Sequence, residues 1–347
     1  MRGVVLLCGV LGAVLCAALT PAADRPARLQ PPPGFQAVPA MPDNALTAER
    51  IELGKRLFND TLLSADHTVS CRNCHQPEHG FTVPERFGRG IGGALTPRRP
   101  STLINRAWGA FQFWDGRAAS LEDLTLQPIQ HPQEMGLTLD ELESRLRADA
   151  DYRQMFLRHY GAEPNRADVS RALAAFLRSV ISEPSGFTRF MSGDTRALSE
   201  AAQRGYDLFH GKARCGSCHW EPNLTDEGFH NTGIAARQPV FDRGRGGGLF
   251  KTPTLHNVSR RAPYMHDGGF PDLESVVDYY DRGGQPVKAG TVLTRQGDRW
   301  KPGINVIGRT LLTAACDGEI YFTHKVGKYT LPITVVNVRP STDGKKK

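Results

Sequence analysis

Cys71-Arg-Asn-Cys74-His75 and Cys215-Gly-Ser-Cys218-His219 are the two places in this 347-residue chain where residue type and spacing carry chemistry by themselves. Two thiols three positions apart can add to the two vinyl groups of one haem, and the adjacent histidine is then held beneath the iron as proximal ligand. One copy alone would also suit a redox dithiol or half of a zinc site. Two copies predict two covalently bound haem c groups, the first on Cys71, Cys74 and His75, the second on Cys215, Cys218 and His219. Of the seven cysteines, Cys8 and Cys16 fall in the apolar N-terminal run and Cys316 stands alone, so no disulfide framework is expected.

The elements that must hold these motifs repeat. Leu46-Thr47 opens a helix ending Gly54-Lys-Arg-Leu57-Phe58 before the first motif, and Leu198-Ser199 opens one ending Gly205-Tyr-Asp-Leu208-Phe209 before the second. This predicts two cytochrome c-like domains side by side, residues 45–190 and 191–282. Between them, Thr138-Leu-Asp-Glu141 reads as a capping box with Leu142 and Leu146 on one face. Asn165 caps a helix in which Val169, Leu173, Phe176, Leu177 and Val180 recur at helical spacing. Residues 1–23 read as a signal peptide: Arg2, an apolar run from Val4 to Leu19, then small residues, the run being short for a membrane span. Export suits covalent haem and predicts a periplasmic protein with no stable span after cleavage. Residues 24–44, with Pro31-Pro-Pro33, Pro39 and Pro42, read as an extended linker.

After Arg282 the pattern changes to short apolar runs broken by Gly and Pro, which predicts a small β domain over 283–347. The expected fold is therefore mainly α: two cytochrome c-like domains with long loops, followed by a small β domain. Residues 285–347 hold eleven Lys/Arg against four Asp/Glu, and the remaining residues hold 32 of each sign, so the whole net charge of +7 belongs to the tail.

With these motifs in place, residues 45–282 resemble the bacterial di-haem cytochrome c peroxidase and MauG superfamily. The matching stretches are Leu53-Gly-Lys-Arg-Leu-Phe58, Ser70 to His75, Phe113-Trp-Asp-Gly-Arg117, Pro132-Gln-Glu-Met-Gly136, Phe229-His-Asn-Thr-Gly233, Phe250 to Leu255 and Pro263-Tyr-Met-His-Asp-Gly268, in family order. The resemblance implies that the first haem meets hydrogen peroxide, with Glu134 as the proton-moving distal carboxylate and Pro128 in the distal pocket. It implies that Trp114 relays electrons between haems, and that Leu124 stands where a distal glutamine is usual. Ordinary peroxidases of the family place a blocking histidine sixteen residues past the motif histidine. Here that position is Ile91, which cannot ligate iron, so the first haem is expected to be five-coordinate and open, as in MauG.

For the second haem the resemblance implies Tyr280 as sixth ligand, fourteen residues beyond His266, with Met265 as the competing candidate and Tyr279 a weaker rival. Leu273, Val276, Val277 and Tyr280 share a helical face, which predicts Tyr280 packed inward and Tyr279 turned aside. The resemblance also implies a calcium ion between the domains, bound by backbone carbonyls at Arg261 and Pro263, with Arg99 standing where the family has an asparagine ligand. The family's closing C-terminal helix after the Tyr280 region is missing.

The tail resembles large-subunit ribosomal protein number twenty-seven, through Gly283 to Gly290, Val292 to Gln296, Pro302 to Val306 and Asp317 to Phe322. That resemblance and Lys345-Lys-Lys347 imply RNA as a partner if the segment is functional. Three functions are compatible with these readings. The foremost is a di-haem peroxidase or MauG-like oxidoreductase, partnered by hydrogen peroxide and by a small redox-protein donor or a protein substrate. The others are a di-haem electron carrier without catalysis and an rRNA-binding protein.

Overall fold

The computed structural model describes residues 26–39, 41–237 and 240–284, and in the tail 292–295, 300–303, 306–308, 311–315, 318–326 and 332–340. The expected signal peptide, Cys316 and Lys345–Lys347 lie outside the described residues. The architecture is mainly α with small sheets, as the sequence predicts. No helix among the described residues is long and apolar enough to cross a membrane.

The first motif rests on a helical cluster. Helix α1 (Ala48–Asn59) begins at Thr47, whose hydroxyl accepts the Arg50 N–H, and it buries Leu53, Gly54, Leu57 and Phe58. The short helix α2 (Cys71–Cys74) carries the motif itself. Four more helices complete the cluster: α3 (Leu121–Gln130), α4 (Leu139–Ala148), α5 (Ala150–Tyr160) and α6 (Arg166–Ser179). Their shared core holds Leu142, Leu146, Tyr152, Phe156, Val169, Leu173 and Leu177, with Phe176 and Leu124 at its edge. Asn165 caps α6 as expected. Thr138 caps α4, but the reciprocal half of the capping box is not formed: the Glu141 carboxylate pairs along the helix with Arg145 at 2.8 Å.

The proline-rich stretch is extended, yet it is fastened down. Ala27 N–H donates to Leu46 O at 2.9 Å. The Phe35 ring lies 4.7 Å from Trp108 and 5.5 Å from His256, so this stretch straps residues of both motif-bearing regions together.

The second region contains α7 (Gly186–Met191), α8 (Glu200–His210), strands β1 (Phe229–His230) and β2 (Phe250–Lys251), and α9 (Leu273–Asp281). The tail adds β3 (Val292–Arg295), β4 (Trp300–Pro302), β5 (Val306–Ile307), β6 (Leu311–Ala314), β7 (Gly318–Val326) and β8 (Pro332–Pro340). Two sheets form, ordered β2-β1-β3-β6-β5 and β4-β8-β7. Leu293, Val306, Leu312 and Ala314 from the first sheet share a buried cluster with Val336 and Val338 of β8. The tail is therefore joined to the second motif region by β3, which runs antiparallel to β1 with Asn231 N–H donating to Leu293 O at 3.0 Å.

The repeated Gly-x-x-Leu-Phe helices differ in what covers them. A Cβ at Gly54 would stand 1.9 Å from the Ala172 carbonyl oxygen, so α1 and α6 cross at backbone contact. At Gly205 the same Cβ would meet nothing within 4 Å, α8 has no buried residue, and Leu208 is 53 % exposed. Gly54→Ala is expected to destabilise the protein by about 1–3 kcal/mol through overpacking. Gly205→Ala should stabilise it by about 0.5–1 kcal/mol through the lost glycine entropy. Thermal unfolding of the two holoprotein variants separates these; equal losses at both would show that α8 is covered as α1 is.

Candidate active site

Each motif histidine is oriented the same way. His75 Nδ1 lies 3.0 Å from Phe81 O, and His219 Nδ1 lies 2.9 Å from Leu224 O. A neutral imidazole donating from Nδ1 to a carbonyl presents its Nε2 lone pair, the form that a metal needs. Burial lowers both histidines below the ordinary range, which keeps them neutral. The accepting residues Phe81 and Leu224 have φ of +58° and +52°, so in both copies a left-handed residue turns its carbonyl back toward the ring. Local bonds fix the first motif further: Ser70 N–H and its hydroxyl both donate to Asn73 Oδ1, at 2.8 and 2.9 Å.

None of the four motif cysteines is engaged in a disulfide. Burial pushes Cys71 up to about 12 and Cys74 up to about 11, and it raises Cys218 as well. Protonated thiols paired with an oriented neutral histidine fit a haem at each motif. Cys218 also shares its surroundings with Asp226 and His230, their ligand atoms all within 4.8 Å of one another. Asp226 is already taken by His230 Nε2 at 2.9 Å, and the pair reads as a buried polar anchor beside the second motif.

Glu134 reaches the first motif. It lies in the loop after α3, where Glu134 N–H donates to His131 O at 2.9 Å and Pro128 O accepts from His131 and Met135. Burial raises its carboxyl, an effect that His131 and Arg117 oppose, and its charge in turn raises Cys71 and Cys74. Ile91 sits against the same loop, its N–H donating to Glu134 O at 2.9 Å. Gly90 permits this, since a Cβ there would stand 2.0 Å from Gln133 O. The expected distal residues Glu134, Pro128 and Ile91 are thus brought together. Leu124 packs against the helical core.

Trp114 lies at the junction of the two regions. Its Nε1–H donates to Arg99 O at 2.8 Å, its carbonyl accepts from the Lys251 N–H of β2 at 2.7 Å, and its ring meets His266 edge-on at 6.3 Å. Neighbouring motif residues hold it: Asp115 accepts from Arg98 at 2.6 Å, and the Arg117 guanidinium lies 3.5 Å over Phe113. Gly116, at φ +66°, lets the Phe229 ring approach to 2.3 Å from where a Cβ would be.

Around α9 the structure corrects the expected packing. Tyr279, and not Tyr280, is the inward ring: it is 8 % exposed, clusters with Ile234 and Phe270, and donates to Thr232 O at 2.6 Å. Leu273, Val277 and Tyr280 are 38, 66 and 47 % exposed. The reason is that α9 packs on Ile234 and Phe270 through Val276 and Tyr279, one turn apart, which leaves the other apolar stripe outside. Burial, and then Cys218, push the Tyr280 phenol upward, which puts it within electrostatic reach of the second motif. Met265, at φ +70°, packs against the Ile234, Phe270 and Tyr279 cluster.

The sequence reading missed the recessed charges that bind the two regions. Arg98 pairs with Asp242 at 2.7 Å, and Arg106 with Glu227 at 2.8 Å. Lys251 adds to Glu227 at 3.5 Å, and burial lowers it to about 8. Arg98 and Arg106 lie 144 and 121 positions from these partners, in loops where no periodicity announces them.

Comparison with known proteins agrees with this geometry. Residues 48–196 match the family model for di-haem cytochrome c peroxidase. The chain is 39 % identical to methylamine utilization protein MauG of Methylorubrum extorquens over 262 residues, covering 72 % of this chain and 73 % of that protein. It is 32 % identical to cytochrome c551 peroxidase of Nitrosomonas europaea, covering 78 % and 81 %. A crystal structure of a MauG-like protein associated with microbial copper homeostasis superposes with a TM-score of 0.66 at 34 % identity, covering 76 % and 83 %. With paired Cys-x-x-Cys-His motifs, matched histidine geometry and these relatives, the chain belongs to the di-haem cytochrome c peroxidase and MauG family of haem oxidoreductases.

Proposed function

We propose that this chain is an exported, periplasmic c-type di-haem enzyme in which the first motif serves hydrogen peroxide and the second passes electrons. The observation that supports this reading is Glu134: a half-buried carboxyl with a raised pKa, whose charge is felt by Cys71 and Cys74 and whose carbonyl accepts from Ile91. When bound, the two haems would supply the iron and the redox chemistry, held by His75 and His219 and fixed covalently through the four motif thiols. Reduction of peroxide consumes two electrons and two protons and gives two waters. Glu134 takes a proton from the near peroxide oxygen and returns it to the far one, so the O–O bond breaks with water as the leaving group. Ile91 keeps that face free of a protein ligand. Trp114, fastened to Arg99, Lys251 and His266, is the bridging ring for electrons moving between the regions.

The electrons come from a small redox protein, or in a MauG-like variant from a protein substrate that is thereby oxidised. A carrier without catalysis would have no use for a carboxyl held at that position. An RNA-binding role for the tail rests on its resemblance and charge; the pairing of β3 with β1 supports a tail that extends the second haem region.

Glu134→Gln should abolish peroxide turnover in stopped-flow mixing while both haems stay attached, because the amide keeps the shape and loses the proton transfer. Glu134 works as a base only when ionised. Its raised pKa therefore puts the acid limb of the wild-type rate above the ordinary glutamate range, with activity rising as pH rises. A variant with the same rate and the same limb would move the proton shuttle to another group.

Tyr280 is the proposed sixth ligand of the second haem, because its phenol is within electrostatic reach of Cys218 while Met265 is engaged in packing. A phenolate favours ferric iron. Tyr280→Phe should raise the reduction potential of the second haem and change its ferric spectrum, and Met265→Leu should leave both in place. The reverse pattern would assign the methionine.

A further inference from the structure

Arg99 occupies a position that the family resemblance reserves for a calcium ligand, and its surroundings do not fit a calcium ion. The side chain is 3 % exposed. Nη2 faces Val83 O at 2.5 Å, Thr82 Oγ1 at 2.9 Å, Ala262 O at 3.1 Å and Arg261 O at 3.3 Å, and Nη1 donates to Glu85 O. Four of these five acceptors are backbone carbonyls, the hard oxygen donors a calcium ion would use. Two come from the first motif region and two from the second. Arg261, whose carbonyl was expected to hold the ion, instead gives it to the guanidinium.

We propose that the Arg99 guanidinium is the resident cation of this joint, a built-in replacement for a divalent metal, and that it positions Trp114 between the two haem regions. The backbone of the same residue completes the arrangement. Arg99 N–H donates to His266 O at 2.8 Å, and Arg99 O accepts the Trp114 indole N–H at 2.8 Å. One residue thus ties the carbonyls of both regions to the bridging ring and to the histidine against which that ring rests. A calcium ion has no room among oxygens already facing a planar cation. It would also meet a second buried positive charge: the Arg261 guanidinium is close enough for the two arginines to repel, and its Nη2 is tied to Thr254 O at 2.7 Å. Burial lowers Arg99 only to about 10, so it remains charged at neutral pH. Arginine suits the task because its planar fork spreads one charge over several oxygens, which the point charge of lysine cannot do.

This inference goes beyond the peroxidase reading and is tested without peroxide. Holoprotein is dialysed against a calcium chelator, and its calcium content, thermal unfolding midpoint and ferric haem spectrum are measured before and after millimolar calcium chloride is added. Substoichiometric calcium, and a midpoint and spectrum indifferent to both treatments, are expected. Stoichiometric calcium, or a midpoint that falls on chelation and returns with calcium, would overturn the proposal. Arg99→Asn removes the cation and opens the carbonyls. It should lower the midpoint and shift the potential of the second haem, and calcium chloride should restore both in part, in the variant alone. Arg99→Lys should fall between variant and wild type. An Arg99→Asn protein with unchanged midpoint and potential would refute the positioning role. The wild-type measurements decide the metal question even if that variant does not fold.

Discussion

The bond from a motif histidine's Nδ1 to a backbone carbonyl is the constraint on which the rest of this structure depends. An imidazole next to two cysteines is useful only if its ring is held in one tautomer and one direction. In both copies the chain achieves this by passing through a residue with positive φ, Phe81 or Leu224, whose carbonyl turns back to the ring. Neither residue is a glycine, so each left-handed turn is held by its surroundings against an unfavourable backbone. The loops after the motifs must therefore be rigid, and this explains why so much of a mainly helical protein is ordered loop.

The two motif regions meet at a joint in which recessed charges and backbone carbonyls stand beside ring contacts such as Phe111 with Phe229. Arg99 and Arg106 are buried and Arg98 is half-buried, and each has partners in both regions. A buried cation without its acceptors would cost several kcal/mol, so displacements that break these pairs are penalised. Trp114 shares that constraint. Its indole N–H, its carbonyl and its ring edge each contact a residue that belongs to this polar network or is bonded to it.

The features legible in the sequence divide in the same way. The helices of the first region announce themselves, because α1 and α6 obey a 3.6-residue apolar period and begin at Thr47 and Asn165. The two Cys-x-x-Cys-His motifs were legible because the covalent chemistry proposed for them demands that spacing. The inward face of α9 was misread. Leu273, Val276, Val277, Tyr279 and Tyr280 give the helix apolar residues on two faces, and only the position of Ile234 and Phe270 selects the Val276 and Tyr279 side. Periodicity shows that a helix has an apolar face; where two faces qualify, tertiary contacts choose. The role of the Arg99 side chain was illegible for a different reason. Its acceptors are carbonyls, which carry no sequence signature.

The exposed stripe of α9 and the bare face of α8 belong to one asymmetry. In the first region α6 covers the glycine face of α1, and the backbone contact at Gly54 and Ala172 shows how close that cover is. In the second region Gly205 and Leu208 carry the same pattern with nothing over them among the described residues. Beyond α9 the next described element is β3, and it goes to the edge of β1, the strand that carries His230. The described part of the tail thus extends a sheet. Edge strands expose unpaired N–H and C=O groups, and adding β3 satisfies those of β1. The second region is therefore closed through hydrogen bonds where the first is closed through helix packing. Among the described residues α8 buries no side chain, so the two halves of a repeated sequence pattern are packed differently.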